Sequence, residues 1–246
     1  MRCADSYEGV GDTFVQLFCL CIAGLIAHVD DETSCEEHTC PRKKAIVTGA
    51  EQGIGAGLVE GFLTAGYNVV AKSLRASWSF SSSPRLILVE GDIGNQESVV
   101  KTVHAAIQHF ETIHVLVNNA GICRTKPFTE FTTEEFNALV SVNLLGFLHM
   151  TQLAVKQMLK QKSGRAVTIT ASLADNPIAG VNASVSMITK EGINTVTHQL
   201  AMEYAKEGIR FNAVAPRVVD TQLHKEPKDP LEITADGKVS ERARHC

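Results

Sequence analysis

Long apolar runs are missing from this chain of 246 residues. No stretch reaches the roughly 18 consecutive apolar residues that a membrane helix needs; FVQLFCLCIAGLIA (14–27) is only 14 long. It is also a poor secretory signal, because Asp5, Glu8 and Asp12 precede it against Arg2 alone, and such signals start positive. An excess of positive charge is missing too. Lys and Arg total 23 against 27 Asp and Glu, a net charge of −4, which gives no reason to expect nucleic acid as a partner. Cysteine is scarce where a disulfide framework would need it. Cys3, Cys19, Cys21, Cys35 and Cys40 crowd the first 40 residues, Cys246 ends the chain, and Cys123 alone lies between. Such lopsided placement argues for a reduced, cytosolic main body. Tyrosine is rare as well, at Tyr7, Tyr67 and Tyr204 only.

What is present falls into three zones. Residues 1–41 form an atypical N-terminal extension. Its segment HVDDETSCEEHTC (28–40) gathers two His and two Cys, but the spacing fits no standard zinc pattern, so no metal site is expected. Residues 42–224 alternate short β-rich apolar runs with helical patterns. The strands read as KAIVTGA, YNVVAKS, RLILVEG, IHVLVNNAG, GRAVTITAS and IRFNAVAP. The helices read as the stretch IGAGLVEGFLTAG and as 96–110, 133–162 and about 185–206. Continuous apolar strands alternating with helices predict a single α/β domain, a doubly wound parallel sheet covered on both faces. Residues 225–246 carry charge at nearly every second position and read as a loose tail, since little apolar surface is there to offset ordering entropy.

The turn VTGAEQGIGAG follows a strand and opens a helix. Gly49 suits a tight turn, Gly53 lets the backbone approach a pyrophosphate, and Gly55 permits helix–strand contact. The helix N-terminus then offers N–H groups and a positive dipole end to phosphate. With Gln52 and Ile54 among them, these residues predict a dinucleotide cradle. An NAD site usually places an acid about 20 residues past the glycines. Here the second strand ends instead in Lys72, Ser73 and Arg75, which suit the 2′-phosphate of NADP, with NAD the alternative.

The ordered set TGAEQGIG, GDIG (91–94), NNAG (118–121), VNLLG (142–146), ITAS (169–172), Lys190 and RFNAVAP followed by Thr221 resembles the short-chain dehydrogenases/reductases, in the style of the 3-oxoacyl-carrier-protein reductases. The resemblance implies a Rossmann-like fold. It implies that Asp92 and Ile93 flank the adenine, that Asn119, Ala120 and Gly121 line the cofactor, and that Thr221 touches it as well. It further implies that Asn143 holds a water in a proton relay, that Ser172 bonds the substrate oxygen, and that Lys190 binds the nicotinamide ribose.

Three departures accompany it. The family's tyrosine, four residues before the lysine, is Ser186 here, and Ser172 to Ser186 is one residue longer than the commonest spacing. A phenol with an ordinary pKa of about 10 can be drawn toward neutrality by an ammonium, but a serine hydroxyl is far less acidic. Tyr204, 18 residues on, lies roughly 27 Å away along a helix and cannot substitute. Pro216-Arg217 stands where the family reads Pro-Gly, and residues 225–246 hold no strand pattern like the last strand of the family, so a truncated or divergent C-terminus is expected. The expected function is a slow NADP-dependent oxidoreductase acting on a small carbonyl or alcohol. The alternative is a non-catalytic dinucleotide-binding or scaffold protein, or a truncated inactive family member. The stretch 136–159 is apolar on more than one face, and the resemblance implies a homodimer or tetramer built through it and the helix carrying Lys190.

Overall fold

The structure, a computed structural model, describes residues 42–75, 80–217 and 219. The expectations for the N-terminal extension, the C-terminal tail, the missing strand and Thr221 lie outside the described residues. Within them, six strands form one parallel sheet in the order β3-β2-β1-β4-β5-β6. They are β1 (Lys44–Thr48), β2 (Asn68–Ser73), β3 (Leu86–Glu90), β4 (Val115–Asn118), β5 (Gly164–Ile169) and β6 (Ile209–Val214). Each lies inside an apolar run read from the sequence. The order is that of the doubly wound Rossmann fold, whose ligand crevice lies beyond the strand C-termini where the order reverses, here between β1 and β4.

Alternate side chains of the buried strands leave the sheet on opposite faces. On one face Val47, Val69 and Val117 pack against Leu58, Val59 and Phe62 of α1 (Gly53–Thr64). On the other, Ile46, Val70 and Leu116 meet Val99 and Val103 of α2 (Gln96–Phe110) and Met150, Ala154 and Met158 of a longer helix. All of these but Val103 are essentially inaccessible to solvent. Burial of each large side chain contributes about 1.5–3 kcal/mol. α2 starts where Asn95 accepts from the N–H groups of Glu97 and Ser98 at 2.8 and 3.2 Å, an N-cap that satisfies two of the helix's unpaired donors.

The longer helix has three parts: α3 (Thr133–Leu139), a π turn over Val140–Leu145, and α4 (Gly146–Gln161). A capping box of Thr132 and Glu135 opens α3. By length and composition Thr133–Gln161 could cross a membrane, a test that also admits the core helices of other folds. Its buried positions face the sheet, as those of a core helix do. The last helix, α5 (Ser184–Glu203), packs chiefly on β6 and carries Ser186 and Lys190 in its first two turns.

Candidate active site

The turn after β1 is built for close approach. Gly49 has φ 63° and Gly53 φ 54°, conformations that favour glycine. A Cβ on Gly49 would come within 2.8 Å of the Ala120 Cα, and one on Gly55 would run into the Gly49 carbonyl. α1 follows with Gln52 at its N-cap, exposed, with no side-chain cap bond and no acid in the first turn. Its leading N–H groups therefore face no carboxylate of their own helix, which suits an anionic ligand.

The loop after β4 closes the other side of this cradle. Asn119 donates through Nδ2 to the carbonyls of Thr48 and Gly49 at 2.9 and 3.0 Å. The N–H groups of Asn119 and Ala120 both donate to Thr48 Oγ1 at 3.0 Å, and that hydroxyl donates on to the Val117 carbonyl at 3.1 Å. Asn119 thus ties the glycine turn to the central strands. Asp92 is exposed and accepts from the Gly94 N–H at 2.8 Å, while Ile93 is buried against Gly146.

The end of β2 differs from the sequence expectation in one respect. Lys72 does not face the cofactor crevice. Its Nζ donates to the Gly91 carbonyl at 2.5 Å and to Ser98 Oγ at 2.7 Å, and the residue is buried. Burial lowers its pKa to about 8, with Asp92 and Glu90 acting in the opposite sense. Lys72, one residue before the end of β2, points into the layer of α2, where the Gly91 carbonyl and the Ser98 hydroxyl accept from it. Arg75 is exposed at the rim, and the Ser73 hydroxyl donates to Glu51 at 2.8 Å.

Beyond the strand ends lies a cleft of about 640 Å³. Ile54, Asn119 and Gly121 line it on the cradle side, and Ser172, Lys190 and Arg217 on the other. Lys190 Nζ donates to the carbonyl of Ile169, the last residue of β5, at 3.0 Å. A Cβ on Gly121 would stand 3.3 Å from that nitrogen, so a larger residue there would crowd the ammonium. Burial lowers the Lys190 pKa to about 8, and nearby Cys123 acts weakly the other way. Ser172 is held by its backbone, its N–H donating to the Pro216 carbonyl at 3.0 Å and its carbonyl accepting from Asn176 at 2.8 Å, which leaves its side chain on the cleft wall.

Asn143 sits in the π turn and is 2% exposed. Its Oδ1 accepts from the Ile122 N–H at 2.8 Å, while Nδ2 donates to the Ile122 carbonyl at 3.0 Å and to Thr189 Oγ1 at 2.8 Å. Both amide protons are used, so the side chain positions the 119–124 loop and α5. Ser186 is also engaged. Its Oγ accepts from the Arg124 N–H and donates to the Arg124 carbonyl, both at 2.8 Å. The Ser186 hydroxyl proton therefore already has an acceptor in the Arg124 carbonyl.

Two residues in this region escaped sequence reasoning. Glu51 reaches back to the end of β2, and Cys123 lines the cleft beside Lys190. Cys123 had a signal, its place immediately after the 118–121 motif and Ile122; Glu51 had none beyond its place in the glycine turn. Among the described residues that line the cleft, none is a tyrosine. Among the described residues no group of three or more His, Cys, Asp or Glu could hold a metal ion.

The short chain dehydrogenase profile matches residues 43–231. Oxidoreductase UcpA of Salmonella typhimurium is 30% identical over 206 residues, covering 79% of this chain and 78% of that protein. Among solved structures, the 3-ketoacyl-(acyl-carrier-protein) reductase of Brucella melitensis complexed with NADH superposes with a TM-score of 0.72 at 26% identity, over 83% of this chain and 93% of that one. ElxO with NADP bound gives a TM-score of 0.70 at 30% identity, over 75% and 77% of the two chains.

Proposed function

The chain belongs to the short chain dehydrogenase family, and on that premise we propose that it is an oxidoreductase that moves a hydride between a nicotinamide dinucleotide and a carbonyl or alcohol carbon. The observation that carries this reading is the continuity of the glycine cradle with a cleft that presents Lys190 and Ser172 together. The residues fit the cofactor: two glycines leave no room for a Cβ, and the N-terminus of α1 bears no acid. When bound, the nicotinamide supplies or takes the hydride, chemistry that no side chain provides.

The chain's own residues bind, orient and move the proton. Gly49, Gly53 and Gly55 with the first turn of α1 receive the phosphates. Asn119 keeps the turn against the sheet. The Ser172 hydroxyl donates to the substrate oxygen and polarises the carbon. Lys190 carries the charge of the site, and with a pKa of about 8 its ammonium can release a proton near neutrality, where general acids work best. Asn143 acts as a positioning residue, fixing the loop that forms the opposite wall.

The reaction is slow in this reading. The resemblance assigns proton delivery to a tyrosine at the place of Ser186, and a positioned acid is worth roughly 10²–10⁴-fold. Cofactor binding without a given phenol has a precedent in a tyrosine-to-phenylalanine variant of ElxO, known with NADPH bound. For the same reason a second reading stands, a dinucleotide-binding protein without turnover, favoured by the engagement of the Ser186 hydroxyl with Arg124. On cofactor choice, Arg75 is the cation available to a 2′-phosphate once Lys72 is turned inward.

Calorimetric titration of the full chain with NADH and NADPH, followed by cofactor oxidation against a panel of ketones, aldehydes and 3-oxoacyl thioesters, tests both readings. Binding with measurable turnover supports the oxidoreductase. Binding with none on any carbonyl moves the second reading ahead. No binding of either dinucleotide refutes both.

A further inference from the structure

The end of β2 carries no acid in the sequence, yet a carboxylate stands there in the folded chain. Glu51 comes from the glycine turn, not from the strand. The turn is pinned to β2 by the Ala50 N–H, which donates to the Lys72 carbonyl at 3.1 Å. One residue further on, Glu51 Oε2 accepts from the Ser73 hydroxyl at 2.8 Å and from the Arg75 N–H at 3.3 Å. Ser73 is 5% exposed, so its hydroxyl has a fixed partner. The Ser73 hydroxyl and the Arg75 N–H are therefore engaged by a carboxylate, and the nearest lysine is withdrawn to Gly91 and Ser98.

A carboxylate at the end of the second strand is the group that accepts from the ribose hydroxyls of NAD. It also repels a 2′-phosphate, whose charge near neutrality approaches −2. Arg75, exposed on the same rim, pulls the other way. Resting on the reading that this cradle takes a nicotinamide dinucleotide, we propose that Glu51 sets its choice: the carboxylate receives the adenosine ribose hydroxyls of NAD(H) and discriminates against the 2′-phosphate of NADP(H). The discriminating acid is thus supplied by the turn before α1 and not by the second strand.

The closing experiment measures NADH and NADPH affinities calorimetrically at matched ionic strength for the full chain, Glu51→Gln and Arg75→Ala. Glutamine keeps an acceptor for Ser73 and Arg75, so the fold is preserved; a thermal melt of the ligand-free variant within a few degrees of the parent checks this. The parent binds NADH at least tenfold tighter than NADPH. Glu51→Gln gains at least tenfold in NADPH affinity and does not gain in NADH affinity, so the preference disappears. Arg75→Ala weakens NADPH further and leaves NADH within about twofold. A parent that prefers NADPH, or a Glu51→Gln preference within twofold of the parent's, overturns the proposal while leaving the dinucleotide reading standing. Failure of the parent to bind either dinucleotide overturns both together.

Discussion

Replacing Ser186 by tyrosine sets a gain in chemistry against a loss in structure, and the two have separable readouts. Ser186 is buried, and its hydroxyl makes two bonds of 2.8 Å to the backbone of Arg124. A phenol oxygen lies too far from its own Cα to keep them. At about 0.5–1.5 kcal/mol each, their loss costs about 1–3 kcal/mol. For a domain of this size that lowers Tm by about 2–12 °C. In return the ring enters the 640 Å³ cleft next to Lys190, which sits one turn further along α5. A tenfold gain in turnover needs only about 1.4 kcal/mol of transition-state stabilisation, and a positioned acid supplies more. Ser186→Tyr is therefore expected to melt earlier than the parent and to turn over at least tenfold faster. Ser186→Ala melts as early and gains nothing, and Lys190→Ala in the tyrosine background removes the gain. The assay is NAD(P)H oxidation with the best carbonyl of the panel, alongside thermal melts. If Ser186→Tyr folds and binds cofactor as the parent does yet turns over no faster, the missing phenol is not what limits this site, and the reasoning fails.

Two further predictions concern charge and assembly. Lys190 has a pKa of about 8 when folded against 10.5 as its ordinary value. Because the folded value is the lower one, the full stability is present only above pH 10.5 and is lost as pH falls through about 8, by at most about 3 kcal/mol at 1.36 kcal/mol per unit. Denaturant melts of the ligand-free parent should gain on those of Lys190→Met between pH 7 and pH 10; a difference that stays flat with pH contradicts this. We also expect a homodimer or tetramer. Phe136, Leu145, Leu148 and Leu159 on α3–α4 and Ile188, Val196 and Met202 on α5 are exposed, and apolar faces of this kind suit a second copy of the chain. Light scattering showing a stable monomer at micromolar concentration would count against it.

All six strands were legible because buried parallel strands are continuous apolar runs, and each run contains its strand. The helices over 96–110 and 185–206 were legible from spacing and end within about three residues of α2 and α5. The stretch 133–162 was read as one helix, apolar on more than one face. Part of that appearance comes from the π turn, which holds an extra residue and rotates the downstream stripe by roughly 100° relative to the upstream one. No composition rule announces such a turn. In the site, the motif order brings Gly49, Gly55 and Asn119 together where sharp turns follow β1 and β4, while Asn143 lies in the π turn with its side chain on Ile122 and Thr189. What remained hidden depends on side-chain direction after folding. Lys72 turned inward because Gly91 and Ser98 offer acceptors that lie 19 and 26 residues away. Glu51 met Ser73 across a crevice 22 residues wide in sequence.

The bonds around Ile122 and Arg124 also have a mechanical meaning. Ile122 is pinned on both backbone atoms to Asn143, and Arg124, two residues on, is pinned on both backbone atoms to Ser186. One pin belongs to the 133–161 helix and the other to α5, so the loop acts as a strut between two helices that already touch through Asn143 and Thr189. Pushing those helices apart has to break one pin before the cleft widens. The bore of the cleft is therefore gauged by bonds between side chain and backbone within its own wall. Enlarging the lining side chains' room by trimming Met187 or Ile178 would change its texture without changing its calibre.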